Sequence, residues 1–127
     1  MTKLLEKDLV YKIIGCAITV QKKLGHGLRE KTYERALCLE FKYQGIEYSQ
    51  QSRYPVIYRN ETIDEYIPDI EVENKVVVEI KTADTIMDEH RGQLLNYLRI
   101  TGLKVGLIIN FKHPKLQWER IVLDTAR

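Results

Sequence analysis

Tyr66-Ile67-Pro68-Asp69-Ile70-Glu71-Val72-Glu73-Asn74-Lys75-Val76-Val77-Val78-Glu79-Ile80-Lys81 decides how the rest of this chain is read. From Val76 to Ile80 every residue except Glu79 is β-branched, the most strand-like run in the sequence. Side chains alternate across a strand, so Val77, Glu79 and Lys81 share one face, and Val76, Val78 and Ile80 the other. A carboxylate and an ammonium therefore end an otherwise apolar strand. Burying them is costly unless they pair or bind something. A plain Glu-Lys pair at a strand end is one reading.

The upstream half weighs against it. Tyr66 and Ile67 suit a strand, but Pro68 lacks the backbone donor that a central ladder needs, and Asp is a poor strand former. Either the strand is broken there or Pro68-Asp69 is present for another reason. If the two strands form a hairpin through Glu73-Asn74-Lys75, register decides what Asp69 can do. A two-residue turn at Glu73-Asn74 would set Asp69 against Val78, on the wrong face. A three-residue turn, or a bulge near Pro68, would set it against Glu79. Two carboxylates beside a lysine then make a site for a hard divalent cation such as Mg²⁺.

Outward from this hairpin the elements are regular. Leu5, Leu9, Ile13, Ala17, Val20 and Leu24 recur at helical spacing and predict one helix, stopped by Gly25-His26-Gly27. Tyr33, Leu37 and Phe41 mark a second helix ending near Gly45. Ile46 to Tyr58 and Thr62 to Val72 read as strands joined by a turn at Arg59-Asn60-Glu61. A third helix spans about Ile86 to Ile100, closed by Gly102. Val105 to Phe111 and Leu116 to Leu123 are the last strands, separated by Pro114. The order is helix, helix, three strands, helix, two strands. The third helix is long enough for a crossover, so the sheet is expected to be mixed: an α/β (α+β) arrangement with helices packed on it.

The 127 residues favour one domain, 1–127, and 44% hydrophobic with 30% charged residues is an ordinary globular composition. A net charge of +2 neither requires nor excludes a nucleic-acid partner. The longest charge-free N-terminal run, Ile13 to Gln21, is too short for a bilayer, and no targeting segment is evident. We expect a cytoplasmic protein with no membrane partner. Cys16 and Cys38 form no metal-ligand spacing and read as buried thiols of helices.

Pro68-Asp69 followed after a short hairpin by Glu79-Ile80-Lys81 resembles the PD-(D/E)XK nuclease signature. Gly27-Leu28-Arg29-Glu30-Lys31-Thr32-Tyr33 fits G-x-x-E-x-x-Y, which names one family of that superfamily. Gln93-Leu94-Leu95-Asn96-Tyr97 fits the Q-x-x-x-Y element of another branch. The resemblance runs from about Leu9 to Leu123. It implies a restriction-endonuclease-like core and a Mg²⁺- or Mn²⁺-dependent nuclease acting on nucleic acid, with DNA the expected substrate. It implies that Asp69, Glu79 and the Ile80 carbonyl ligate the metal, with Glu30 a third carboxylate, direct or through water. Lys81 would orient water or neutralise charge on the phosphate, and Gln93 and Tyr97 would position substrate. Nucleases of this kind often pair to reach two strands, so a homodimer is compatible with it.

Each of these residues also has a plainer reading. Glu30 suits the first turn of a helix, Tyr33 suits the core, and Gln93 with Tyr97 suits a solvated helix face. His90 reads as an ordinary surface residue. Lys22, Lys23, His26, Arg29, Lys31 and Arg35 cluster around the first helix boundary, where Lys22, Lys23 and Arg29 could contact phosphates. Glu34 dilutes that patch. Two other functions fit the same residues: a nucleic-acid- or partner-binding module that has lost turnover, and an interaction protein whose charged cluster is structural.

Overall fold

The computed structural model describes residues 5–123. The ends of the expected domain, 1–4 and 124–127, lie outside the described residues. The elements are α1 (Lys7–Leu24), α2 (Glu30–Tyr43), β1 (Tyr48–Ser49), β2 (Tyr54–Tyr58), β3 (Glu61–Tyr66), β4 (Ile70–Val72), β5 (Val76–Lys81), α3 (Asp88–Thr101), β6 (Val105–Asn110) and β7 (Gln117–Val122). Five strands form one sheet in the order β1-β4-β5-β6-β7, and β2 with β3 form a separate two-stranded ribbon. The β5–β6 pair is parallel, joined by α3 as crossover, and the other neighbours are antiparallel. This is the expected mixed α/β sheet with helices on it.

The two faces of β5 bury different cores. Val76, Val78 and Ile80 pack with α1 and α2, including Ile13, Ala17, Tyr33, Leu37 and Phe41. Val77 packs with Ile86, Leu94, Leu98 and Ile108 under α3. The central strand β6 is buried along its whole length, as a parallel strand covered on both faces should be. At Gly106 an added Cβ would stand 2.8 Å from a Leu94 methyl, so this glycine lets α3 lie close on the sheet. No helix among the described residues is long and apolar enough to cross a membrane. Cys16 and Cys38 are buried and free, and burial pushes their thiols up to about 11 and about 12.

The two strands expected at Ile46 to Tyr58 and Thr62 to Val72 are each split in two. Their outer halves pair as β1 with β4 in the main sheet; their inner halves pair as β2 with β3 in the ribbon. The second split falls at Ile67, Pro68 and Asp69. Pro68 offers no N–H to a ladder, and the Asp69 carboxylate itself takes the Ile80 N–H at 2.8 Å. A side chain thus replaces the backbone partner that a continuous strand would supply. Pro55 is tolerated because it lies in a ribbon with free edges, not in the main sheet.

The β4–β5 hairpin has the register that brings Asp69 to Glu79. Ile70 faces Val78, Glu71 faces Val77 and Val72 faces Val76, leaving Glu73, Asn74 and Lys75 as the connection. Glu73 and Asn74 have φ of 52° and 56°, and the Lys75 N–H donates to the Val72 carbonyl at 2.9 Å. The predicted three-residue connection is what the structure has.

Candidate active site

One step beyond the Ile70–Val78 pair, the same register sets Asp69 opposite Glu79. The two residues are interlocked. The Asp69 carboxylate accepts the Ile80 N–H, and the Glu79 carboxylate accepts a hydrogen bond from the Asp69 backbone. The Tyr66 hydroxyl donates to Glu79 Oε2. Burial pushes the Glu79 carboxyl up to about 8, with Asp69 adding to the rise and Tyr66 and Lys81 opposing it. Burial also raises Asp69; the Ile80 N–H and Lys81 pull it down, and Glu34 and Glu30 push it up. Two adjacent acids that resist ionisation together, with one lysine charge beside both, form an arrangement that a cation would relieve.

Glu30 opens α2 and is exposed, yet it does not face away from this pair. Its Oε2 accepts the Thr82 N–H at 3.1 Å, immediately after Lys81. It lines an open recess with Arg29, Lys31, Glu34, Asp69 and Thr82. Tyr33 explains why α2 begins there. Its ring is fully buried and stacks on Phe111 at 4.4 Å, while its hydroxyl donates to the Gly25 carbonyl at 2.7 Å and accepts the Leu28 N–H at 3.2 Å. Gly27, at φ 99°, supplies a backbone conformation that other residues rarely adopt. In G-x-x-E-x-x-Y, then, Gly27 and Tyr33 shape and tie the loop that presents Glu30, and Tyr33 is a core residue.

On the α3 side of the sheet, the side that carries Val77 and Glu79, Tyr97 stacks on Tyr66 with ring centroids 3.8 Å apart. Burial raises the Tyr97 hydroxyl, Glu79 and Asp69 raise it further, and Gln93 lowers it. Gln93 is exposed and Tyr97 half-buried. α3 is held in place by Arg91, whose Nε and a terminal nitrogen each meet a Glu119 oxygen at 2.7 Å. Buried Asn110 fixes the loop after β5 by bonding both the N–H and the carbonyl of Ala83. His90 takes the Met87 N–H at 2.9 Å and caps α3, outside the acidic group.

The structure thus brings Asp69, Glu79 and Lys81 to one end of β5, with Glu30 on the rim of the adjoining recess and Tyr97 stacked on Tyr66. Of the basic residues, Arg29 and Lys31 reach the recess. Lys22 lines a different recess with Lys115 and Trp118, and Lys23 is exposed at the last turn of α1. Two neighbours of the acidic pair carry no motif. Glu34 is buried, bonds Gln50 Nε2 at 2.8 Å and stands near enough to raise Asp69. Its only signal was its place four residues after Glu30, on the same helix face. Tyr66 had none beyond preceding Pro68-Asp69.

Among the described residues, no three His, Cys, Asp or Glu side chains are gathered into a metal-holding group. The Asp69–Glu79 pair is nevertheless the donor chemistry that Mg²⁺ uses, since that ion commonly takes one or two carboxylates and fills its other positions with water and phosphate oxygens. The residues present fit such an ion through the pair, with Glu30 and Glu34 close by.

A family model described as PD-(D/E)XK nuclease superfamily matches residues 7–121. No curated protein and no solved structure matches the chain.

Proposed function

The chain belongs to the PD-(D/E)XK nuclease superfamily, and we propose from that membership that it is a Mg²⁺- or Mn²⁺-dependent nuclease hydrolysing phosphodiester bonds in DNA. The single observation that carries the reading is the pairing of Asp69 with Glu79 beside Lys81. Asp69 and Glu79 would hold the cation, with the Ile80 carbonyl as a further oxygen. When bound, such a cation makes water a better nucleophile and offsets phosphate charge. Lys81 would place its ammonium against the charge that develops on the phosphate. Glu30, steadied by Thr82, would be a third carboxylate for the cation, directly or through water. Arg29 and Lys31 would meet the phosphates flanking the scissile bond. The G-x-x-E-x-x-Y stretch, Gly27 to Tyr33, supports placing the chain in the family of that name. We further propose a single cytoplasmic domain that acts alone or as a homodimer.

The test is incubation of the purified protein with duplex, single-stranded and branched DNA and with RNA, with and without Mn²⁺. Metal-dependent cleavage of DNA is the expected result. Metal binding without cleavage of any substrate would leave a binding module on the nuclease fold, and absence of metal binding would make the acidic pair structural.

A further inference from the structure

The ribbon formed by β2 and β3 stands apart from the main sheet, and β3 is exposed at every residue except Tyr66. Tyr66 is 8% exposed, and its ring is pinned flat against Tyr97. Its hydroxyl could have been satisfied by any buried carbonyl. It reaches instead to Oε2 of Glu79, the acid that the hairpin register sets opposite Asp69. A phenol O–H donated to one oxygen of a carboxylate fixes the rotation of the group. A carboxylate has about four acceptor sites. The Tyr66 hydroxyl takes one of these, and the others would serve a cation. The Gln93-Tyr97 face of α3 supports Glu79 through this stack.

We propose that Tyr66 is a positioning residue for the metal site: it holds the Glu79 carboxylate in the orientation a divalent cation needs. This rests on the reading of Asp69 and Glu79 as a cation site. The ribbon contains its own control. Tyr54 faces Tyr66 across β2 and β3, and its hydroxyl donates to Glu71, which is 3% exposed on β4. The same bond therefore joins the same ribbon to the sheet a second time, at a carboxylate outside the acidic pair. Tyr54→Phe removes an anchor of the ribbon, and Tyr66→Phe removes an anchor and the support of Glu79.

Calorimetric Mn²⁺ titration of wild type, Tyr66→Phe and Tyr54→Phe, with urea unfolding of each, separates the outcomes. Outer groups that orient a metal ligand typically contribute about 10–100-fold to affinity, so Tyr66→Phe should bind Mn²⁺ about that much more weakly while Tyr54→Phe binds as wild type does. Equal affinity in wild type and Tyr66→Phe overturns the proposal and leaves the metal site standing. An equal loss in both variants overturns it too, because anchoring the ribbon would then suffice. A wild type that binds no Mn²⁺ overturns the cation site itself. Should Tyr66→Phe fail to fold, fluorotyrosine in place of Tyr66 keeps the ring and hydroxyl. Its fluorine resonance should move as Mg²⁺ is added, and a resonance unmoved at saturation overturns the proposal.

Discussion

At the residue scale, Asp69, Glu79 and Lys81 share one place and should fail in different ways. The two acids would be ligands, so Asp69→Ala or Glu79→Ala should lower Mn²⁺ affinity and abolish cleavage together. Lys81 lies two residues beyond Glu79 on β5, and its charge lowers the proton affinity of both acids. Removing that charge removes a repulsion toward a cation, so Lys81→Ala should bind Mn²⁺ as well as wild type or more tightly. Cleavage should still fall about 10²-fold or more, as on loss of an electrostatic catalytic group. Calorimetry alongside a DNA cleavage assay checks both; undiminished cleavage by Lys81→Ala would take lysine out of the mechanism. These three residues were legible in the sequence because strand alternation and hairpin register are local rules. Glu34 and Tyr66 were not, because what brings them to Asp69 and Glu79 is packing between elements distant in sequence.

At the scale of elements, the helices and β5 to β7 followed from periodicity, and the splitting of two strands did not. Pro68-Asp69 signalled a disturbance in the second strand. Nothing in the run from Ile46 to Tyr58 shows that Tyr48 belongs to the main sheet and Tyr54 to the ribbon; that follows from where β4 and β3 diverge. The contact of α3 with β6 gives a measurable consequence. An alanine methyl at position 106 would meet the Leu94 side chain at 2.8 Å, so Gly106→Ala should destabilise the fold by about 1–3 kcal/mol. Leu94→Ala opens a cavity and should cost about 2–5 kcal/mol alone. The double variant should be less destabilised than the sum, since the new methyl partly fills the space, and urea midpoints of the four proteins give the coupling. Strict additivity would mean that α3 does not rest on Gly106 as described. Tyr33→Phe tests the second helix in the same way. It removes the hydroxyl that joins the Leu28 N–H to the Gly25 carbonyl and should destabilise by about 0.5–1.5 kcal/mol in urea, the tie that presents Glu30 being lost.

At the scale of the whole molecule, the acidic pair sets how stability depends on pH. In the metal-free protein the folded state holds the Glu79 proton up to about 8, against 4.5 for an ordinary glutamate. Between those values the folded chain binds more protons than the unfolded one, so stability must fall as pH rises. The contribution is fully present below 4.5 and gone once the pH has passed through about 8. Asp69, also raised by burial, acts in the same direction. With chelator present, the urea midpoint should therefore decline from mildly acidic to mildly alkaline pH, and Glu79→Gln should flatten the decline because its amide does not titrate. Mn²⁺ reverses the sign if the pair is a cation site. The ion binds the ionised acids of the folded state and stabilises it by about 2.7 kcal/mol at a hundred times its dissociation constant. Its affinity rises as the acids lose their protons, so the midpoint in saturating Mn²⁺ should hold or rise over the range where the metal-free midpoint falls. Parallel curves with and without Mn²⁺ would show that the raised carboxyls serve the fold alone. Curves that diverge with pH in wild type, and coincide in Asp69→Ala, would tie the cost of burying two acids side by side to the ion they are there to hold.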